Sequence, residues 1–269
     1  MIIDLHIHSI YSDGTLNYDE IINLAKKNNV DIISITDHDT IINLKNYKLY
    51  REKYNMNIIP GLEISSNIKN VHILGYGINN FEKLEKVLID LKIENEGRNK
   101  ESIEILKKNG IDIDFERVKE ISKNGIVTYR DVVEYLYLKK YIVNRHDAFK
   151  KYIGKGAIAY VPSREMSIIE ILDLIDSVGG ISSLAHPCLI NDNIDDIIKE
   201  MVYHNLSGIE INKDRIKPQQ YYKYIEYAKK YNLCITRGSD FHDSKLNKLG
   251  VEVEDDFLDS FQKKLIFRR

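Results

Sequence analysis

Short runs of apolar residues alternate along the chain with longer stretches in which apolar residues recur every three or four positions. The short runs are typical of buried strands, and the longer stretches are typical of amphipathic helices. The predicted strands lie at 2–5, 32–36, 58–65 with a break at Pro60-Gly61, 72–76, 181–185, 208–211 and 234–236. The predicted helices lie at 17–28, 41–54, 168–177, 194–204 and 218–231. Strands that alternate with helices favour a largely parallel sheet or barrel, so the expected fold class is α/β.

The middle of the chain departs from this alternation. From about residue 80 to residue 162 almost no β-like run occurs, whereas helical periodicity extends over 84–109. Shorter helical pieces follow at 115–122, 131–138 and 145–152. We therefore expect an α/β core formed by residues 1–79 and 163–269, with a helical lobe inserted at 80–162 that covers the functional site and selects the substrate.

Composition and charge narrow the function classes. The 269 residues are 43% hydrophobic and 30% charged, which is enough apolar material for one barrel-sized core. The 39 basic and 41 acidic residues nearly cancel, so binding of a polyanion would need a local patch. The two cysteines are too few for a disulfide framework. With neither a signal-peptide pattern nor a membrane-length apolar run, a cytoplasmic protein without membrane association is expected.

Histidines and carboxylates stand at or just after the ends of five predicted strands, and His72 opens a sixth. The residues concerned are His6, His8, Asp13, His38, Glu63, His72, His186, Asp240 and His242. In (β/α) barrels the C-terminal ends of the strands form the active-site face, so residues distant in sequence can converge there. A single His is usually a surface or core residue, but six of the eight histidines belong to this one set.

These side chains suit a divalent transition metal. Imidazole and carboxylate ligands together favour Zn, Mn or Fe, whereas an all-oxygen set would favour Mg or Ca. His6 and His8 lie two positions apart, so a strand presents both rings on one face, and Asp240 and His242 repeat that spacing. A carboxylate such as Glu63 can bridge two ions, and clustered ions are a recurrent arrangement for displacement at phosphorus. The sequence therefore predicts metal-dependent hydrolysis of a phosphate ester.

Several short motifs, in order along the chain, carry a resemblance to a known family. They are Asp4-Leu5-His6-Ile7-His8-Ser9 with Ser12-Asp13-Gly14, Thr36-Asp37-His38-Asp39-Thr40, Pro60-Gly61-Leu62-Glu63-Ile64, His72-Ile73-Leu74-Gly75, Ala185-His186-Pro187 and Gly238-Ser239-Asp240-Phe241-His242. Together they resemble the polymerase-and-histidinol-phosphatase (PHP) superfamily of phosphoesterases. The resemblance implies a distorted (β/α)7 TIM-like barrel with a trinuclear metal site. It implies one ion held by His6, His8, Glu63 and Asp240, a second by Glu63, His72 and His186, and a third by Asp13, His38 and His242.

Two further motifs favour one branch of this superfamily. Tyr152-Ile153-Gly154-Lys155-Gly156 and Ala159-Tyr160-Val161-Pro162 are similar to the subfamily that removes the 3′-phosphate of nucleoside 3′,5′-bisphosphates or trims RNA from the 5′ end. In that subfamily an Arg of the insert, matched here by Arg130, helps to bind substrate phosphate, and Lys155 and Arg164 are further candidates. The match departs at Val132, where the subfamily usually has His. A solvated basic face is the alternative interpretation of these cations, and it stays open.

The expected activity is phosphate-ester hydrolysis by metal-activated water, with two to three divalent ions, Mn foremost and Fe or Zn as alternatives. The candidate catalytic residues are Asp13, His38, Glu63, His186 and His242. The favoured substrates are nucleoside 3′,5′-bisphosphates and short 5′-phosphorylated RNA, and no stable protein partner is expected. Another PHP phosphatase, such as a histidinol-phosphate phosphatase, and a non-catalytic metal-binding regulatory module are the two alternatives. Asp37 is expected to orient a liganding histidine from outside the ligand set.

Overall fold

The computed structural model describes residues 1–42, 44–122, 125–190, 193–245, 247–254, 261 and 263–265. Its strands are β1 (Ile2–Ile7), β2 (Ile32–Ile35), β3 (Asn57–Ile58), β4 (Gly61–Ser65), β5 (His72–Tyr76), β6 (Ile181–Leu184), β7 (Gly208–Glu210), β8 (Cys234–Thr236) and β9 (Val251–Glu252). Its helices are α1 (Tyr18–Lys27), α2 (Tyr47–Tyr54), α3 (Phe81–Lys108), α4 (Phe115–Ile121), α5 (Tyr129–Leu138), α6 (His146–Ala148), α7 (Ile168–Ser177), α8 (Ile194–Tyr203) and α9 (Pro218–Tyr231).

These strands form two sheets, in the orders β3-β2-β1-β9 and β4-β5-β6-β7-β8. Pairing is parallel from β1 to β3 and from β6 to β8, but β4–β5, β5–β6 and β1–β9 pair antiparallel. The expectation of a largely parallel sheet is therefore wrong for β4 and β5. The connection 66–71 is too short for a parallel crossover, which needs a dozen or more residues.

Isolated bridges join the two sheets where β1 and β2 end. Ile7 pairs with Phe241, and His38 pairs with Glu63. The backbone N–H of His8 also donates to the carbonyl of Phe241 at 2.8 Å. The α/β class is thus confirmed, while the strands within the described part of the chain do not form one continuous closed barrel.

The antiparallel direction of β5 explains why His72 opens its strand, whereas the other candidate histidines lie near the end of a strand or after it. His72 is opposite Ser65 at the end of β4, and Ile73 is opposite Leu184 at the end of β6. A strand that runs against its neighbours begins where they end. His72 therefore lies at the same edge of the sheet as residues that follow parallel strands.

The chain divides into two compact units, an α/β unit (Met1–Glu85 and Met166–Arg269) and a helical unit (Lys86–Glu165). The core of the α/β unit forms between strands and helices, with Ile7, Ile33 and Phe241 among its fully or almost fully buried members. The helical unit has its own apolar core, which includes Ile103, Leu106, Val118, Val132 and Leu136. The boundary between the units lies within α3 rather than at residue 80.

Local signals placed most elements correctly. Helix α1 begins with the expected capping box of Asn17 and Glu20, and α7, α9 and β8 have the predicted bounds. The predicted helix 41–54 is wrong at its start, where a 3-10 turn at Leu44–Asn46 precedes α2, and Asn43 lies outside the described residues. The predicted strand 58–65 forms two separate strands, β3 and β4, which belong to different sheets. The break falls at Pro60, because proline has no N–H to donate to a strand ladder. No helix in the described residues has the length and apolarity to span a bilayer.

Candidate metal centre

Strand β1 presents two histidines on one face, because side chains two positions apart project to the same side. The strand continues to Ile7, so His6 is inside it and His8 follows directly, rather than both following a strand that ends at Leu5. Gly238 lies so close to this strand that a Cβ there would be 2.3 Å from Cβ of His6 and 2.5 Å from its nitrogen. Only glycine allows this approach, which brings the segment after β8, with Asp240, against His6.

Glu63 is the centre of the site. Its side chain is fully buried, and its Oε2 lies 3.1 Å from Nε2 of His6, 3.2 Å from Nε2 of His8 and 3.3 Å from Nε2 of His38. Its Oε1 lies 2.9 Å from Nε2 of His186 and 3.1 Å from Nδ1 of His72. The two oxygens of one carboxylate thus face two different sets of imidazoles, which is the arrangement that a bridging ligand needs.

All nine predicted ligands are brought together. Their ligand atoms fall into four overlapping groups, each with every atom within 4.8 Å of the others. The groups are His8, Asp13, His38 and His242; His6, Glu63 and His186; His6, His8 and Asp240; and His38, Glu63 and His72. These four groups share residues with the three ligand sets implied by the family resemblance, but they do not reproduce those sets.

Outer hydrogen bonds turn three imidazoles so that Nε2 faces the cluster. Nδ1 of His242 donates to the backbone carbonyl of Asp240 at 2.9 Å. Nδ1 of His6 lies 3.0 Å from Oε1 of Glu210 and can only donate to that carboxylate. Nδ1 of His8 lies 3.4 Å from Oγ of Ser12. A hydrogen on Nδ1 leaves the lone pair on Nε2, which is the form of histidine that binds a metal.

Glu210 is a functional residue that the strand-end argument missed. It ends β7, is almost fully buried, and accepts the backbone N–H of His186 at 2.7 Å in addition to its contact with His6. It therefore holds the ring orientation of one predicted ligand and the backbone of another. The available signal was an acidic residue inside the predicted strand 208–211, but no adjacent histidine or carboxylate marked it.

Asp37 reaches a ligand through an intermediate rather than directly. It accepts the Ser9 backbone N–H and the Ser12 hydroxyl, both at 2.7 Å. Because the hydroxyl hydrogen of Ser12 is given to Asp37, the Ser12 oxygen is left to accept from Nδ1 of His8. The orienting role expected of Asp37 stays a prediction, in this indirect form.

Burial and neighbouring charges set the protonation states. Burial lowers the pKa of His38 to about 4, so this imidazole is neutral at physiological pH. Burial would raise the pKa of Glu63, but the nearby His6 and His38 hold that pKa well below its usual range. Burial also opposes the charged form of His8, yet hydrogen bonds with Asp240 and Glu63 raise its pKa to about 9. The Glu63 carboxylate is thus ionised, and binding of a metal cation at His8 would release the proton that this histidine otherwise holds at neutral pH.

Two predicted ligands have a backbone conformation that is uncommon for residues other than glycine. The φ angle is +27° at His186 and +50° at Asp240. Such conformations cost roughly 1–3 kcal/mol each and persist where the surrounding structure enforces them, often at functional sites. The hydrogen bond from the His186 N–H to Glu210 is one contact that enforces it.

The donor set fits metal ions. Six imidazoles and three carboxylates converge, and Nδ1 of both His38 and His186 is buried without a hydrogen-bond partner in the described residues. His6, His8 and Glu63 are fully buried, whereas the side chains of Asp13, His242 and Asp240 are 42%, 28% and 22% exposed. The centre is therefore closed on the strand side and open on the side of Asp13, where a substrate can approach.

The predicted phosphate-binding residues all belong to the helical unit. Arg130 lies in the first turn of α5, with its Nε 3.3 Å from the Tyr129 hydroxyl. Arg164 forms an ion pair with Glu94 at 3.5 Å, and Lys155 is exposed. Val132 is 1% exposed within the apolar core of that unit, so the position where the subfamily has His is here a packing position.

Comparisons with known proteins agree with this chemistry. The chain matches the family model of the PHP domain over residues 4–214. A 5′-3′ exoribonuclease of Haemophilus influenzae is 30% identical over 248 residues, which cover 89% of this chain and 89% of that protein. A 3′,5′-nucleoside bisphosphate phosphatase of Chromobacterium violaceum is 26% identical over 249 residues, which cover 89% of this chain and 87% of the relative. The solved structure of an amidohydrolase from Chromobacterium violaceum, at 23% identity, gives a TM-score of 0.78 over 99% of this chain and 96% of that one, a likeness that concerns the fold alone.

Proposed function

Because the chain belongs to the PHP domain family and is a metal-dependent phosphoester hydrolase, we propose that it removes the 3′-phosphate of nucleoside 3′,5′-bisphosphates or trims short 5′-phosphorylated RNA. The convergence of six imidazoles and three carboxylates around Glu63 is the observation that carries the chemistry. The names of the relatives at 30% and 26% identity support the substrate class.

The proposed centre holds two to three divalent ions, with Mn the first candidate and Fe or Zn the others. Mixed imidazole and carboxylate ligands favour this group of metals. The bridges between the two sheets also support the proposal that the α/β unit is a distorted (β/α)7 barrel with the ligands at one end. When bound, such ions make a water molecule nucleophilic at neutral pH and stabilise charge on phosphoryl oxygens.

The residues of the chain have distinct parts in this reaction. Glu63 and His186 fix the buried side of the centre, where the side chains are 0% and 11% exposed. Asp13 and His242 hold the open side, with Nε2 of His242 3.4 Å from Oδ1 of Asp13. His38 lies between them and is kept neutral by burial, which lowers its pKa to about 4 and leaves it ready to bind a cation. These five residues therefore position the phosphate-binding face.

A second phosphate on the substrate would give Arg130 its function. A guanidinium can bind a non-reacting phosphate through two parallel hydrogen bonds. Binding at a remote group raises the rate when it aligns the reacting phosphorus with the catalytic centre. Lys155 and Arg164 are proposed as weaker contributors, since Arg164 already pairs with Glu94.

Replacing Arg130 with Ala is expected to lower kcat/KM for adenosine 3′,5′-bisphosphate or a 5′-phosphorylated dinucleotide. Loss of one charged hydrogen-bonding partner costs roughly 1.5–3 kcal/mol, which is about one to two powers of ten in rate. Hydrolysis of a small aryl phosphate should hardly change, because it has no second phosphate. Both substrates are assayed by phosphate release on wild type, Arg130→Ala and the control Arg117→Ala, whose exposed guanidinium pairs with Asp112 in the same unit.

The pattern of losses decides the substrate question. Equal losses on both substrates would assign Arg130 to the reacting phosphate or to the fold, and no loss on either would place it on a solvated surface. Robust turnover of histidinol phosphate with none of the bisphosphate would favour the other PHP phosphatase class. Absence of turnover on every phosphate ester, with metal bound, would favour a regulatory module.

A further inference from the structure

Arg215 lies at the exposed edge of the metal centre, on a 3-10 turn at Lys213–Arg215 that follows β7. Its Nη1 is 3.3 Å from Oδ2 of Asp240. The other oxygen of that carboxylate, Oδ1, lies 3.3 Å from Nε2 of His8 and 3.6 Å from Nε2 of His6. A single carboxylate therefore separates this guanidinium from the ligand atoms of the centre.

The ion pair between Arg215 and Asp240 is partly exposed, since the two side chains are 37% and 22% exposed. Pairs exposed to this degree contribute little to stability. A role for Arg215 beyond supporting Asp240 is thus open on physical grounds.

A guanidinium in this place suits a phosphate. It presents five N–H donors in a rigid fork that matches two oxygens of a phosphate, and the contact with Asp240 occupies Nη1. A phosphate ester hydrolysed at this centre would enter from its open side, where Asp240 is partly exposed together with Asp13 and His242. We propose that Arg215 binds a non-bridging oxygen of the phosphate that is being hydrolysed. This role rests on the phosphoester hydrolase activity and is independent of the leaving group.

The proposed role differs from that of Arg130 in a measurable way. Arg130 is proposed to bind a second phosphate, so its loss should matter only for substrates that have one. Arg215 is proposed to bind the reacting phosphate, so its loss should lower kcat/KM for a bisphosphate and for an aryl phosphate to a similar extent. Binding of inorganic phosphate, which is the product of both reactions, should also depend on Arg215.

The test uses Mn²⁺-loaded protein and inorganic phosphate as the probe. Arg215→Ala is expected to weaken phosphate binding, measured by calorimetry, by about tenfold or more, as for loss of a charged hydrogen bond. Arg215→Lys keeps the charge but loses the forked guanidinium, so its phosphate affinity should lie between those of wild type and the Ala variant. The control Lys213→Ala removes an exposed cation from the same turn and should leave phosphate binding unchanged. Elemental analysis should show equal metal contents in all four proteins.

Unchanged phosphate affinity in Arg215→Ala, or a loss that follows a fall in metal content, would overturn the proposal and make Arg215 a support for Asp240. If the Ala variant does not fold, Arg215→Lys decides alone, and wild-type phosphate affinity in that variant would contradict the fork. The result does not depend on whether the natural substrate is a nucleotide, because neither inorganic phosphate nor an aryl phosphate contains a nucleoside.

Discussion

Replacing Glu63 with Gln is expected to lower the metal content and to slow phosphate release from an aryl phosphate by about two to four powers of ten. The carboxylate is fully buried and lies within 3.3 Å of a ring nitrogen from each of five histidines. Gln keeps the volume, but it removes the charge and turns an N–H donor toward the nitrogens that should bind metal. Bound ions contribute several kcal/mol of transition-state charge stabilisation, and a loss on the order of 3–5 kcal/mol of it gives the stated range.

An aryl phosphate is the informative substrate for this variant, since it has no second phosphate and its hydrolysis is expected not to depend on Arg130. Glu20→Gln is the matched control, because the same change removes a charge from the capping box of α1 at the surface of the α/β unit. The control should retain wild-type metal content and turnover. Wild-type turnover by Glu63→Gln would show that Glu63 does not bridge catalytic ions.

Replacing His38 with Ala is expected to reduce activity by orders of magnitude while the melting transition of the metal-free protein moves little. The ring is 9% exposed, and its Nε2 lies 3.3 Å from Oε2 of Glu63 and 3.9 Å from Oδ2 of Asp13. Burial already disfavours the charged form, lowering the pKa of His38 to about 4, so at neutral pH the ring adds no ion pair to the fold. Its loss therefore removes a ligand more than a stabilising contact.

The melting temperature should change by no more than about 4 °C, the shift that a stability change near 1 kcal/mol produces in a chain of this size. The control is His204→Ala, which removes a histidine at the C-terminal end of α8 and should change neither activity nor metal content. Normal turnover in His38→Ala would remove the ion at the open side from the mechanism. A collapse of the melting transition would instead assign His38 to the fold.

The convergence of the candidate ligands could be predicted from the sequence because two simple regularities coincide. Side chains alternate along a strand, which places His6 and His8 on one face, and the ends of neighbouring parallel strands meet at one edge. Five imidazoles near or after such ends, those of His6, His8, His38, His186 and His242, are hard to explain without a shared bound ion. Glu63 was identifiable for the same reason, but its central position, with contacts to five histidines, required the fold.

Other features depend on contacts that no local pattern encodes. The direction of β5 is set by pairing with β4 and β6, and only that pairing brings His72 to the site. Glu210 was overlooked because a single acidic residue in a strand has no characteristic neighbour in the sequence. Arg215 was overlooked because cations in loops are common, and its meaning comes from the contact with Asp240.

The boundary between the two compact units was also not predictable from local sequence patterns. The absence of β-like runs indicated the helical segment, but its boundary lies inside α3, a continuous helix from Phe81 to Lys108. Helical periodicity does not change where one compact unit ends and the next begins. The burial of Val132 likewise follows from the packing of α5 in its own unit and not from the residue type expected there.

The metal-to-protein ratio of wild-type protein tests the central claim most directly. The protein is purified after Mn²⁺ supplementation, freed of loose metal by gel filtration, and analysed for Mn, Fe and Zn together. Because the nine converging ligands are more than one ion can use, the expected ratio is about two to three ions per chain. A ratio below about one ion per chain would contradict a multinuclear centre built around Glu63.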